Sequence, residues 1–126
     1  MNRKGKLYFR YGTMGSAKTA LLLTQAYNFE ERKMRYVCLK PFIDTREGAR
    51  SVIRSRIGIE RSCRWIHPDT DIYAMAQALF EESMAVIDWI LVDEAQFLTA
   101  TQVDQLARIV DDFGSNVICY GLRTDF

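Results

Sequence analysis

The residues best suited to phosphate chemistry lie near the N-terminus, in the stretch RYGTMGSAKTALLL at positions 10–23. This stretch matches the phosphate-binding pattern G-x-x-x-x-G-K-[ST], except that Ala17 stands where the pattern has its second glycine. Backbone N–H groups of residues 15–19 would converge on phosphate oxygens at a helix N-terminus. Lys18 would reach the β- and γ-phosphates, and the Thr19 hydroxyl would bind Mg²⁺. The expected nucleotide ligands here are Gly12, Thr13, Met14, Gly15, Ser16, Ala17, Lys18 and Thr19.

A second group with catalytic potential lies in WILVDEAQF at positions 89–97, where an apolar run ends in two adjacent acids. An acid at such a strand end holds Mg²⁺, directly or through water, so Asp93 is the expected metal ligand beside Thr19. Glu94 would stand near the γ-phosphate and accept a proton from an attacking hydroxyl. The expected nucleotide ligands in this stretch are Asp93, Glu94, Ala95 and Gln96.

Each of these two features also has a plainer interpretation. Lys18 can be a solvated residue at the start of a helix, and the two acids can cap a turn at a solvated strand end. However, both features occur in the required order, and each follows an apolar strand. This order favours a nucleotide site over a chance match.

Short apolar stretches alternate along the chain with segments of helical periodicity. Strands are predicted at 6–11, 35–40, 89–92 and 116–120, with a weaker candidate at 63–67. Helices are predicted at 17–33, 71–84 and 100–112. Thr99 is the expected N-cap of the last helix, with Gln102 reaching back to it. This alternation predicts an α/β fold, a parallel sheet like that of P-loop NTPases with helices on both faces. One nucleotide-binding domain is expected to span 1–126.

The stretch from about 41 to 61 has little periodicity and is predicted to be a loop, with room for a short helix. It holds several arginines, but Asp44, Glu47 and Glu60 interrupt them. No aromatic residues are interleaved with these arginines. A nucleic-acid-binding surface is therefore a weak interpretation of this segment.

The composition is that of an ordinary globular protein, with 17 basic and 16 acidic side chains and a net charge of +1. This balance argues against a nucleic-acid or membrane-surface partner, and no apolar run approaches the roughly 18 residues of a spanning helix. The basic N-terminus has too short an apolar part for a signal peptide. Three scattered cysteines, Cys38, Cys63 and Cys119, predict reduced thiols in a cytoplasmic protein. His67 has only Cys63 near it in sequence, which favours a surface histidine over a metal ligand.

Five segments together resemble, in order, the cellular-type thymidine kinases of bacteria and animals. They are LYFRYGTMGSAKTALLL, IDTREG, SRIG, LVDEAQFL and CYGLRTDF, and the resemblance covers essentially the whole chain. It implies transfer of the ATP γ-phosphate to the 5′-hydroxyl of thymidine or deoxyuridine, with Mg²⁺ bound. It also implies a homo-oligomer, in this family a tetramer.

The resemblance also implies roles for individual residues. Glu94 falls on the family's general base, and Asp93 falls on the acid that holds Mg²⁺. Asp44 and Arg46 match residues near the transferred phosphate, so Arg46 is expected to be catalytic and Asp44 to contact the substrate. Arg56 of SRIG is expected to help there.

Three apolar residues, Met14, Phe97 and Leu122, fall on positions that line the nucleoside pocket in the family. Taken without the resemblance, Met14 would be a loop residue, and Phe97 and Leu122 would be part of the core. Asp44, Arg46 and Arg56 would likewise be solvated charges. These six assignments therefore depend on the resemblance alone.

Two departures from the family pattern matter. If the backbone at Ala17 needs a positive φ, an alanine costs roughly 1–2 kcal/mol there; if φ is negative, its methyl group matters only by crowding a phosphate or Thr19. Family members also continue past the segment that matches GLRTDF, in most cases with zinc-binding cysteine pairs and a lid over the nucleoside, and this part is expected to be absent. The alternative to a kinase core is thus a non-catalytic ATP-binding or oligomerisation module on the same fold. A general P-loop ATPase has less support, because no motor or partner element is visible.

Overall fold

The computed structural model describes residues 5–12, 15–42 and 50–122. The helices and strands follow in the order β1 (Leu7–Gly12), α1 (Gly15–Glu31), β2 (Tyr36–Pro41), β3 (Val52–Arg54), β4 (Glu60–Ser62), β5 (Arg64–Ile66), α2 (Ile72–Ser83), β6 (Trp89–Val92), a 3₁₀ turn (Ala95–Phe97), α3 (Ala100–Phe113) and β7 (Asn116–Leu122). All five predicted strands are present, including the weak candidate, which is β5. Helix α1 begins two residues before its predicted start.

Five strands form one sheet in the order β1–β7–β6–β2–β5, and all neighbours in it run parallel. The side chains of β6 explain its place inside this sheet. Ile90 and Val92 pack into the core on one face and Leu91 packs on the other, each at most 1% exposed. A strand without a polar face is stable only where both faces of the sheet are covered. The predicted α/β fold, with a parallel sheet between helices, is confirmed.

Helix α1 covers one face of the sheet, and α2 and α3 cover the other. The predicted apolar stripe of α1 is buried, since Leu22, Ala26 and Phe29 are each 5% exposed or less. Burying a side chain such as Leu22 contributes about 1.5–3 kcal/mol, so this stripe fixes where α1 lies on the sheet. The opposite face is closed by five buried side chains of the other two helices: Ile72, Ala76, Leu106, Ile109 and Val110.

Helix α3 begins with the predicted capping box. The Thr99 hydroxyl accepts a hydrogen bond from the Gln102 N–H at 3.1 Å, and the Gln102 Oε1 accepts one from the Thr99 N–H at 3.0 Å. The Gln102 Nε2 also donates to the His67 carbonyl at 2.8 Å. One side chain therefore fixes both the start of α3 and the chain that leaves β5.

The described part of the stretch predicted to be a loop is a β-hairpin, so that prediction was wrong. Strands β3 and β4 pair antiparallel around a turn that contains Gly58, whose φ is 91°. Ile53 is fully buried on the α1 side of the sheet. Arg61 pairs with both carboxylate oxygens of Glu30 in α1, at 2.8 Å through Nε and 3.0 Å through Nη2. These contacts are distant in sequence, and local periodicity does not reveal them.

The three cysteines are free thiols, as predicted, and all three are buried. Burial raises the pKa of Cys38 and Cys119 to about 12 and that of Cys63 to about 11, which disfavours the reactive thiolate.

The prediction of a surface histidine is confirmed, since His67 is exposed. Across 5–12, 15–42 and 50–122 there is no group of three or more side chains from His, Cys, Asp and Glu arranged to hold a metal. None of the helices in those ranges is long and apolar enough to cross a membrane.

Candidate phosphate-binding active site

Several of the predicted functional residues lie at the edge of the sheet where the parallel strands end. Gly12 is the last residue of β1, Asp93 directly follows β6, and Leu122 is the last residue of β7. Helix α1 begins at the same edge, three residues after Gly12. In open α/β sheets this edge is where ligands bind.

The first turn of α1 and the lysine in it are positively charged features of this edge. The turn carries no acidic residue, so the partial positive charge of the helix N-terminus is not neutralised within it. Lys18 is only 5% exposed, and its Nζ lies 2.9 Å from the position that a Cβ would occupy at Gly12. A side chain at position 12 would displace this ammonium group. The close approach of Lys18 to the end of β1 therefore explains why position 12 is a glycine. Together, the lysine and the helix N-terminus suit an anion such as a phosphate.

Thr19 and Asp93 face each other across the boundary between α1 and the sheet. The Thr19 Oγ1 is 3.4 Å from both carboxylate oxygens of Asp93, and the two residues are 9% and 3% exposed. A strong O–H···O hydrogen bond is near 2.7–2.8 Å, so this contact is a loose one. A hydroxyl and a carboxylate at this spacing are the hard oxygen ligands that Mg²⁺ prefers. The donor set therefore fits the predicted magnesium ion.

The electrostatics around Asp93 favour a cation. The pKa of Asp93 is raised from 3.8 to about 6, first by burial and then by the negative charge of Glu94, against the opposing effect of Lys40. Lys40 was not predicted as a site residue. It follows Leu39, whose carbonyl accepts from the Asp93 N–H at 2.9 Å, so it lies beside Asp93 at the end of β2. A lysine in an otherwise apolar strand, VCLKP, was the sequence signal that could have identified it.

Glu94 occupies an unusual backbone conformation, with φ at 55° and ψ at 42°. This left-handed region costs a non-glycine residue roughly 1–2 kcal/mol, and such strain is concentrated at functional sites. The Glu94 Oε2 accepts a hydrogen bond from the Gln96 Nε2 at 2.7 Å, and the Gln96 Oε1 accepts one from the Leu122 N–H at 3.1 Å. The sequence predicted Gln96 as a nucleotide ligand and did not reveal this bridge.

Two large apolar side chains close to Glu94 along the chain or through the Gln96 bridge are exposed. Phe97 is 50% exposed and Leu122 is 37% exposed. Both were predicted to line the nucleoside pocket. The Phe97 N–H donates to the Glu94 carbonyl at 3.1 Å in the 3₁₀ turn, and the Leu122 N–H donates to Gln96, so the backbone of each residue is tied to this segment. An aromatic ring and an aliphatic side chain at one edge can form an apolar wall for a flat ligand.

Comparison with known proteins identifies the family of this chain. A family model described as thymidine kinase matches residues 5–126. The chain belongs to the thymidine kinase family. Curated relatives, each named thymidine kinase, include proteins of Rhizobium etli (50% identical over 121 residues, 96% of this chain and 60% of the relative) and Pasteurella multocida (46% over 122 residues, 96% and 62%). One of Enterobacteria phage T4 is 46% identical over 120 residues, 95% of this chain and 61% of the relative.

The chain spans about 60% of the length of the thymidine kinases that it matches.

Four predicted site residues, Thr13, Met14, Asp44 and Arg46, lie outside the described residues. Gly15 and Ser16 begin α1, and only their backbone is described. Arg56 is exposed in the turn of the β3–β4 hairpin.

The backbone at Ala17 answers the question raised by its place in the phosphate-loop pattern. Ala17 lies in the first turn of α1. Among the described non-glycine residues only Lys33, Met84 and Glu94 have a positive φ, so Ala17 carries no left-handed strain. Ala17 is also an exposed residue. Alanine also favours a helix over glycine by about 1 kcal/mol.

Restoring glycine at position 17 is therefore expected to leave ATP·Mg²⁺ affinity unchanged, within about twofold. It is also expected to lower the free energy of unfolding by about 0.5–1 kcal/mol. Calorimetric titration and chemical denaturation measure the two effects. Ala20→Gly, at another exposed position of α1, is the matched control and should lose similar stability. Clearly tighter binding by Ala17→Gly alone would show that the methyl group crowds the phosphate.

Replacing Asp93 by asparagine is expected to stabilise the ligand-free protein at pH 7.5. The folded state binds a proton at Asp93 more tightly than the unfolded chain does, since the pKa of Asp93 is raised from 3.8 to about 6. Folding stability therefore falls as pH rises through this window. A neutral amide in place of the carboxylate would remove up to about 3 kcal/mol of this penalty.

Thermal unfolding in the presence of a chelator measures this effect. The gain in Tm from Asp93→Asn should be several degrees at pH 7.5 and should shrink as the pH falls from about 6 to about 4. Asp104→Asn, which removes an exposed acid of α3, is the control and should give no such pH-dependent difference. An Asp93→Asn variant less stable than the wild type at pH 7.5 would contradict the account of a costly buried carboxylate.

Proposed function

We propose that this chain is the catalytic core of a thymidine kinase that transfers the ATP γ-phosphate to the 5′-hydroxyl of thymidine or deoxyuridine. The observation that carries the proposal is the buried Thr19–Asp93 pair, with a spacing of 3.4 Å between hydroxyl and carboxylate, at the N-terminus of α1. A metal ligand pair at a helix N-terminus is the arrangement that phosphoryl transfer needs. Membership of the family supports the choice of substrate.

The phosphate end of ATP would bind at the first turn of α1. Backbone N–H groups of that turn and the Lys18 ammonium would hold the phosphate oxygens. Thr19 and Asp93 would hold Mg²⁺, which when bound neutralises charge on the phosphates. Lys40, beside Asp93, would add a second positive charge to this end of the sheet.

Glu94 would act as the general base. The acceptor 5′-oxygen forms a bond to the γ-phosphorus, the bond from that phosphorus to the bridging oxygen of ADP breaks, and the hydroxyl proton moves to Glu94. Positioning supplies most of the rate enhancement in such a reaction, because the protein forms no covalent bond. A carboxylate held in a fixed place next to Asp93 suits this task.

Several further assignments are part of the same proposal. Phe97, Leu122 and Met14 would contact the nucleoside, together with Asp44. Arg46 would stabilise charge on the transferred phosphate. The remaining assignments are a single kinase domain over 1–126, a homotetramer and a cytoplasmic location.

Nucleotide binding is testable with one substitution. ATP·Mg²⁺ at 100 times its dissociation constant should stabilise the chain by about 2.7 kcal/mol, seen as a rise in Tm of several degrees. Lys18→Ala should remove most of this rise, because it deletes the cation that faces the phosphates. Lys6→Ala, which removes an exposed lysine, is the control and should keep it. Absence of any ATP-dependent shift in the wild type would overturn the nucleotide site.

Turnover is measured with labelled ATP and thymidine, on the chain itself and on a fusion that continues it with the C-terminal part of the Rhizobium etli relative. The proposal predicts thymidine phosphorylation that is faster in the fusion and falls by about 10²- to 10⁴-fold in Glu94→Ala. ATP binding without turnover in either protein would favour the alternative, a non-catalytic ATP-binding or oligomerisation module.

A further inference from the structure

We propose that Gln96 is a positioning residue, which fixes the Glu94 carboxylate and ties it to the end of β7. This inference rests on the proposed role of Glu94 as the general base. It assigns to Gln96 a task inside the protein, distinct from the contact with nucleotide expected from its place in the motif.

Both ends of the Gln96 side-chain amide are engaged by the protein. Its Oε1 accepts from the Leu122 N–H at 3.1 Å, and its Nε2 donates to the Glu94 Oε2 at 2.7 Å. The chemistry of the partners fixes this orientation of the amide. A backbone N–H can only donate and an ionised carboxylate can only accept, so a flipped amide would satisfy neither.

Glu94 needs such support because it lies outside the long helices and the sheet strands. It has a left-handed backbone and starts a three-residue 3₁₀ turn without a side-chain cap. A glutamate side chain in such a place keeps several rotamers, and ordering it has an entropic cost. The bond from Gln96 holds one carboxylate oxygen, Oε2, and leaves the other, Oε1, to receive the proton of the acceptor.

The bridge also accounts for Gly121. A Cβ at this position would lie 2.7 Å from the Gln96 Oε1 and 3.1 Å from its backbone nitrogen. Any side chain would therefore push Gln96 away from β7. Gly121, Gln96 and Glu94 form one unit, which we call the base bridge. It holds the proposed base at a fixed distance from Leu122, the residue proposed to contact the nucleoside.

The test replaces Gln96 by methionine, which has similar volume but makes neither hydrogen bond. The substitution is made both in the chain and in its fusion with the C-terminal part of the Rhizobium etli relative, and both are assayed for turnover with labelled ATP and thymidine. The base bridge predicts a fall in kcat of about 10- to 100-fold, with the KM for ATP within about twofold of the wild type. Gly121→Ala should reproduce this fall, and the double variant should be little worse than either single one, because both act through the same contact.

Two comparisons separate positioning from a loss of general stability. In a Glu94→Ala background, Gln96→Met should lower the residual rate no further. Gln105→Met is the matched control, since the Gln105 Oε1 accepts from the Ile72 N–H at 2.8 Å and joins α3 to α2. It should lower Tm and leave kcat unchanged. A Gln96→Met variant with wild-type kcat, or with weakened ATP binding and normal kcat, would overturn the proposal while leaving the kinase function intact.

A measurement without turnover tests the bridge even if the proposed kinase activity fails. In ¹⁵N-edited NMR of the ligand-free chain, one Gln96 side-chain amide proton should exchange slowly with water and move upfield in Glu94→Ala. The Gln105 amide should not respond to that substitution. Rapid exchange, or no response to Glu94→Ala, would overturn the base bridge whether or not the chain is a kinase.

Discussion

Asp93 is a carboxylate buried at the end of a parallel strand, and most of the candidate site depends on where the fold places it. It is 3% exposed, and its contact with Thr19 joins residues 74 positions apart in the sequence. Two structural facts create that contact. Strand β6 lies inside the sheet because it is apolar on both faces, and α1 lies over the same sheet because its buried stripe fixes it there.

Burial of this carboxylate works against the stability of the empty protein and in favour of ligand binding. A pKa raised to about 6 means that the surroundings of Asp93 penalise its charged form. A cation held by Asp93 would relieve this penalty, so the free energy that destabilises the ligand-free state would strengthen metal and nucleotide binding. The left-handed backbone of Glu94 is a second local cost at this edge, and such strain is concentrated at functional sites.

Much of the fold could be predicted because the relevant signals are local. Alternation of short apolar runs with helical stripes identified the five strands of the main sheet, and the Thr99–Gln102 pattern identified a capping box. The hairpin was missed because tertiary contacts create it, namely the burial of Ile53 and the pairing of Arg61 with Glu30. Strands of three residues, rich in arginine, carry no clear alternation of their own.

The candidate site was predictable only in part, because some of its contacts are tertiary and leave no local sequence signal. Lys18, Thr19, Asp93 and Glu94 belong to contiguous motifs, and the fold brings these motifs to one edge. The bridge through Gln96 requires β7 to end beside the 3₁₀ turn, which no single motif encodes. The sequence also left the conformation at Ala17 open, since an alanine there is compatible with either sign of φ.

The central claim is that nucleotide-bound metal sits between the first turn of α1 and the end of β6. Paramagnetic relaxation by Mn²⁺·ATP in ¹⁵N-resolved NMR tests it most directly, because the broadening of each signal falls steeply with distance from the ion. The account predicts that the signals of residues 17–20 and 91–95 broaden most and that Asp93→Asn abolishes this effect. Nucleotide-dependent broadening centred elsewhere, or unchanged in Asp93→Asn, would contradict it.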